Sequence, residues 1–319
     1  MSRVKVGVIG VGALGRHHAR LYAACPDADL VGLCDSNQET ATGAAAEFDT
    51  AAFSSIDALV DAVDAVSVAV PTTLHHEIAS GLLEKGCHAL VEKPLAATVE
   101  QGRELVALAQ DRNLTLHVGH VERYNPVIAY LEQKVDNPRF IESHRLAPYP
   151  PPRPGMLPRG TEVGVVLDLM IHDIDVILHL VGSEVERVDA VGIPVLSATE
   201  DIANARLKFT NGCVANVTAS RVSLEQMRKI RVFQSDAYLS LDYQERTGEI
   251  VLLNGTSIDR EPVPINDHNA LEKELHEFVR CTRIALDTGE VPQAATSAEN
   301  GLRALEIAEM ILQQVVAGL

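Results

Sequence analysis

The 319-residue chain carries 44 acidic against 27 basic residues, a net charge of −17, with 46% hydrophobic and 22% charged residues. That is ordinary globular composition, long enough for two domains, and it excludes disordered, collagen-like and disulfide-scaffold classes. So acidic a surface repels nucleic-acid phosphates and anionic lipid, which argues against nucleic-acid or membrane partners. No stretch offers the roughly 18 apolar residues of a membrane helix, and no apolar signal core follows Met1. Five scattered cysteines, none in C-x-x-C, fit reduced thiols and a cytoplasmic location.

Along the first third, short apolar runs predict strands at 4–9, 30–34, 65–70, 88–91 and 115–118. Helical stretches at 13–25, 38–48, 73–85 and 99–113 alternate with them. That alternation predicts a doubly wound parallel sheet over residues 1–121. After residue 121 the rhythm changes. Six of the 15 prolines fall between Pro148 and Pro158, which predicts a stiff extended loop. A helix at 163–181 follows, then strand-like runs at 185–191, 203–209, 214–219, 229–233, 238–241 and 250–253. Turn signals such as Asn211-Gly212 and Asn254-Gly255 separate some of them, as in antiparallel hairpins. Helices at 269–286 and 297–316 close the chain. The fold expectation is α/β: an N-terminal Rossmann domain (1–121), then an α+β domain (122–319) with a largely antiparallel open sheet.

Gly10-Val11-Gly12-Ala13-Leu14-Gly15 matches G-x-G-x-x-G between a predicted strand and a predicted helix, and Asp35 stands 20 residues later at the end of the second strand. In that context each glycine has a task. Gly10 makes the tight turn, Gly12 admits a pyrophosphate against the backbone, and Gly15 lets helix and strand pack closely. The free N–H groups of the helix start, including those at Ala13 and Leu14, suit phosphate. Asp35 suits the ribose hydroxyls and repels a 2′-phosphate. The cofactor expected is NAD.

Two further segments narrow the reading: Pro71-Thr72-Thr73-Leu74-His75 with Glu92-Lys93-Pro94, and Asp168-Leu169-Met170-Ile171-His172-Asp173-Ile174-Asp175. With the glycine motif, the chain resembles the glucose–fructose oxidoreductase/inositol dehydrogenase (Gfo/Idh/MocA) family over essentially its whole length. The resemblance implies a NAD-dependent dehydrogenase of a sugar or cyclitol hydroxyl, a homodimer or homotetramer formed through the C-terminal sheet, and no catalytic metal. It assigns catalysis to Lys93, His172 and Asp168, and cofactor contacts to Pro71, His75, Glu92 and Lys93 besides the glycine loop.

The residue chemistry agrees. A lysine at the C-terminal end of a parallel strand can hold a developing alkoxide, although alone it is a surface ion-pair partner. His172 has the side chain best suited to proton transfer near neutrality. Asp168 and Asp175 share its helix face by spacing. The same three residues are also a conceivable metal set or ordinary helix-start acids. Either Lys93 or His172 can be the proton acceptor.

Arg145, Arg153 and Arg159 lie in or beside the proline loop of an otherwise acidic protein, and an arginine fork suits phosphate. Arg123 and Tyr124 lie in the crossover Gly119–Pro126, which is similar to a family subgroup acting on UDP-N-acetylglucosamine. These five residues are the expected substrate contacts, and a nucleotide sugar oxidised at C3 is the expected substrate. A free sugar or cyclitol, a redox-neutral reaction on permanently bound NAD, and a non-catalytic NAD-binding regulator are the alternatives.

Overall fold

The computed structural model describes residues 3–151, 161–254, 257–265 and 268–317. Its contacts divide the chain into two units. One comprises residues 1–121 with 269–305, the other 122–268 with 306–319.

The first unit contains β1 (Val4–Ile9), α1 (Ala13–Ala24), β2 (Ala28–Cys34), α2 (Gln38–Glu47), β3 (Ala51–Phe53), α3 (Ile56–Val60) and β4 (Ala65–Val68). It continues with α4 (His75–Glu84), β5 (His88–Glu92), α5 (Val99–Asp111) and β6 (Leu116–Gly119). The six strands are parallel in the order β3-β2-β1-β4-β5-β6. Every residue of β4 and β5 is buried, as expected of parallel strands covered on both faces. Helix starts follow capping chemistry: Asn37, Ser55 and Thr98 accept backbone N–H groups at the starts of α2, α3 and α5.

Helix α8 (Ala270–Thr288) returns to this unit. Its Leu275, Phe278 and Val279 join the core formed by Val4, Val6, Leu21 and Tyr22. A single division at residue 121 therefore does not describe the packing, because the apolar face of α8 completes the first core.

Two buried histidines of this unit make stability acid-sensitive. His88 accepts a hydrogen bond at Nδ1 from the Thr115 amide (2.9 Å). Burial holds both His88 and His117 down at about 4, against an ordinary value near 6.5. The unfolded chain thus binds protons that the folded chain refuses. Stability is full above about pH 6.5 and falls as pH drops toward 4, by about 3 kcal/mol for each histidine. Urea unfolding at a series of pH values checks this; a flat profile between pH 7 and 4.5 contradicts it.

The second unit contains α6 (Pro126–Lys134), β7 (Phe140–Leu146), α7 (Ile171–Val181), β8 (Val185–Ile193), β9 (Ile202–Phe209) and β10 (Val214–Ser220). β11 (Met227–Phe233), β12 (Ala237–Asp242), β13 (Thr247–Asn254), β14 (Ser257–Pro262) and the end of α9 (Ala298–Ala317) complete it. Its eight strands run β14-β13-β12-β11-β7-β10-β9-β8. All neighbours are antiparallel except β7 and β10, which are parallel. Burial alternates along the central strands: Ala203, Ala205, Leu207 and Phe209 on β9, and Ala215, Val217 and Ala219 on β10, are buried. That period of two marks a sheet with one covered face. Gly212, at φ +87°, makes the expected turn between β9 and β10.

Four elements here differ from the sequence expectation. Helix α6 and strands β7 and β14 are additional. The segment expected to be one helix over 163–181 begins instead as a π-helical turn at Val166–Met170, which runs into α7. Of the proline-rich segment, residues 152–160 lie outside the described residues.

Candidate functional site

The loop after β1 is shaped for a dinucleotide. Gly10 has φ +83°, and a Cβ there would stand 2.6 Å from the Ala69 carbonyl oxygen. A Cβ at Gly15 would collide with the Gly10 carbonyl, whereas one at Gly12 would meet nothing within 4 Å. Gly10 and Gly15 thus build the turn, and Gly12 leaves open space over it. Helix α1 starts just after its N-cap Gly12, with no side-chain cap and no acid in its first turn. Its first N–H groups and the positive end of its dipole therefore remain available to an anion. These features fit a bound dinucleotide pyrophosphate. The loop lies where β1 and β4 adjoin, the point at which strand order reverses.

Asp35 directly follows β2. Its Oδ2 accepts the Val11 amide (2.8 Å) and its Oδ1 accepts the Asn37 amide (2.9 Å). The carboxylate thus shapes the glycine loop. Asp35→Ala is expected to weaken NAD binding and narrow the preference over NADP, with NADP less affected because its 2′-phosphate no longer meets the carboxylate. Calorimetry with both dinucleotides measures this; equal wild-type affinities for the two contradict it.

Lys93 follows the last residue of β5 and precedes Pro94 across a cis peptide bond. The groups around it are buried and bonded. His75, 1% exposed, places Nδ1 2.8 Å from the Pro94 carbonyl oxygen and Nε2 3.0 Å from that of Val70. Burial lowers the His75 imidazole, and the two carbonyls oppose that shift. Both its ring nitrogens thus face the backbone. Glu92 turns its carboxylate inward, where Oε1 lies 3.0 Å from His18 Nε2 on α1. Pro71 is exposed and opens the short turn Thr72–Leu74 that leads into α4.

In the second unit, Asp168 lies within the π-helical turn and His172 in the first turn of α7; both are half-buried. π-Helical turns recur at functional sites because the wide turn re-aims side chains. Here it changes the register between 168 and 175. Asp175, which regular helical spacing puts beside Asp168 and His172, is 2% exposed and paired with Arg123. Glu200 braces the start of this segment. Its backbone carbonyl accepts the Val165 amide (2.9 Å), and its Oε1 accepts the Val166 amide (3.1 Å). A Cβ at Gly164 would collide with the Glu200 carboxylate. Arg221, paired with Asp201 (2.8 Å), also donates to the Val163 carbonyl (2.8 Å).

The arginines expected to contact substrate divide into two groups. Arg123 and Arg145 are buried and bonded to carboxylates. Arg123 is bidentate to Asp175 (2.6 and 3.1 Å). Arg145 donates to Asp173 (2.6 Å) and Glu122 (3.0 Å), and Asp173 also accepts from Ser143 Oγ (2.8 Å). Burial opposes the Arg145 charge, but Asp173 and Glu122 outweigh it and hold the guanidinium protonated. These pairs tie α7 to β7 and to the turn Val121–Tyr124. The Tyr124 carbonyl accepts from His268 Nε2 (2.8 Å). Arg153 and Arg159 lie outside the described residues. Among the described residues no group of three His, Cys, Asp or Glu side chains is placed to hold a metal ion.

Residues 4–120 match the model of an oxidoreductase family with an NAD-binding Rossmann fold, and residues 131–240 match the GFO/IDH/MocA C-terminal domain. The UDP-N-acetylglucosamine 3-dehydrogenase of Acidithiobacillus ferrooxidans is 40% identical over 286 residues, 88% of each chain. The chain belongs to the GFO/IDH/MocA oxidoreductase family. The solved structure of that Acidithiobacillus enzyme covers 99% of both chains with a TM-score of 0.90 at 38% identity. The scyllo-inositol 2-dehydrogenase (NAD(+)) of Bacillus subtilis is 27% identical over 301 residues, 88% of this chain and 86% of its own. A levoglucosan dehydrogenase solved with NADH and levoglucosan shares the fold at 22% identity, with a TM-score of 0.88 over 100% of this chain and 98% of its own.

As a GFO/IDH/MocA member the protein is a NAD-dependent dehydrogenase acting on CH–OH groups. Two parts of its site escaped the sequence reading. His18 carried a weak signal, a histidine three residues past the glycine motif. Glu200 carried none, since it stands far in sequence from the helix it braces.

Proposed function

We propose that this dehydrogenase oxidises a nucleotide-activated amino sugar, UDP-N-acetylglucosamine, at C3. The similarity to the Acidithiobacillus enzyme carries the reading, because it spans 88% of both chains at 40% identity. The chemistry supplied by NAD is hydride acceptance at the nicotinamide. Lys93 and His172 divide two tasks on the sugar hydroxyl: one accepts its proton, and the other hydrogen-bonds the oxygen as it becomes a ketone. Asp168 orients them. Arg153 and Arg159, with Tyr124, take the diphosphate, while Arg123 and Arg145 fix α7 from within.

The protein works in the cytoplasm as a homodimer or homotetramer through the open face of the eight-stranded sheet. Two observations support that setting. All five cysteines are unpaired and buried, as suits a reducing compartment. Val191 and Ile193 of the edge strand β8 are 58% and 52% exposed, which suits a surface that another copy covers.

The test is NADH formation with UDP-N-acetylglucosamine, alone and with an aminotransferase that removes the ketone. Turnover on this substrate and none on glucose or myo-inositol is expected. Turnover on free sugars or inositol, with none on any nucleotide sugar, overturns the substrate and retains the dehydrogenase.

A further inference from the structure

We propose that Glu92 and His75 are positioning residues that brace Lys93 from both sides, Glu92 by its ion-pair contact with His18 on the dinucleotide helix and His75 by bonding the Pro94 carbonyl. The inference rests on the reading that Lys93 acts on the substrate oxygen.

The lysine stands between two anchored neighbours. On one side, the Glu92 carboxylate is 8% exposed and meets His18 Nε2 at 3.0 Å; His18 itself is 0% exposed. A carboxylate in such a place is costly unless it is hydrogen-bonded. Burial raises its affinity for a proton, but the close His18 imidazole and the Lys93 charge prevail and keep it ionised. Space is made for it by Gly119, the parallel-sheet neighbour of Glu92 on β6, where a Cβ would lie 2.7 Å from Oε2. Helix α1 and strands β5 and β6 therefore converge on one carboxylate.

On the other side, His75 with its proton on Nδ1 donates to the Pro94 carbonyl at 2.8 Å, while its unprotonated Nε2 lies 3.0 Å from the Val70 carbonyl oxygen beyond β4. Neither histidine is spent on solvent. The consequence concerns distance. Helix α1 fixes the pyrophosphate at its N-terminus, and His18 lies on the same rigid helix, one turn further on. The 3.0 Å Glu92–His18 contact thus sets the lysine relative to the element that sets the cofactor. A displacement of about 1 Å at such a group costs up to 10²-fold in rate.

His18 is the residue to vary, since it belongs to neither the phosphate loop nor the catalytic groups. His18→Leu is expected to lower kcat by about tenfold while the NAD Kd from calorimetry stays within about threefold. His18→Gln keeps an N–H donor at the right reach and is expected to restore kcat to within about threefold. Should His18→Leu not fold, Glu92→Gln, nearly isosteric, is expected to show the same loss of kcat. The double variant His18→Leu, Glu92→Gln is expected to be no slower than the slower single, because both remove one interaction. Wild-type kcat in His18→Leu, multiplicative losses in the double variant, or lost NAD affinity at unchanged kcat each overturn the brace. Lys93→Met is assayed alongside. Full turnover there overturns the lysine reading itself, whereas loss there beside wild-type turnover in His18→Leu overturns only the brace.

Discussion

Lys93→Met and His172→Ala are each expected to lower turnover by roughly 10²-fold or more, the scale on which general acid–base groups contribute. Methionine keeps the length of lysine and removes its charge and donors. Alanine at 172 removes the imidazole without disturbing Asp173, whose carboxylate faces Arg145 and Ser143. Dinucleotide affinity is expected to survive both changes, because the glycine loop, the start of α1 and Asp35 are untouched. Steady-state NADH formation and NAD calorimetry on the folded variants check this pair of outcomes. Near-wild-type turnover in either variant removes that residue from the mechanism.

Asp173→Ala is expected to cost about 3–5 kcal/mol of stability, the penalty for leaving a buried charge with a missing partner. Arg145 is 3% exposed, and Asp173 is its shorter carboxylate contact at 2.6 Å. Without it, Glu122 is the carboxylate left to the guanidinium, and Ser143 loses its shorter acceptor, keeping the Lys229 carbonyl at 3.4 Å. The damage falls on the attachment of α7 to β7, so His172 moves with it and turnover falls as well. Urea unfolding monitored by circular dichroism measures the cost. A loss below about 1 kcal/mol would mean that the network contributes no more than a surface pair does.

The parts of this protein legible in its sequence are those whose logic is local. Gly10, Gly12, Gly15 and Asp35 announce themselves because a tight turn, an open backbone and a helix start are consecutive in the chain. The parallel strands of the first unit are legible because burial on both faces leaves unbroken apolar runs. Strand β7 was hidden for the opposite reason. Its inward positions are Ile141, Ser143 and Arg145, and two of the three are polar because their partners, Asp173 and Glu122, come from other elements. The same pairing explains why Arg145 resembled a phosphate ligand and Arg123 a substrate contact: a sequence shows a charge but not the carboxylate waiting for it. The π-helical turn was illegible because nothing in Val166–Met170 breaks a regular helical pattern, and its effect shows only in where Asp175 points. Lys93, Asp168 and His172 were recognisable by motif; the residues that hold them, His18, His75 and Glu200, are joined to them only by the fold.

The return of α8 to the first unit has a consequence for how the chain is made. When residues 1–121 have left the ribosome, the surface awaiting Leu275, Phe278 and Val279 is still bare. It stays so until about 150 more residues have been synthesised, some ten seconds or more at ordinary elongation rates. Strand β7 waits similarly, since both its neighbours, β10 and β11, lie well downstream. Neither unit is finished by the stretch of chain that begins it. The first unit matures only once α8 has been made, and a fragment cut at residue 121 carries an apolar scar where α8 belongs.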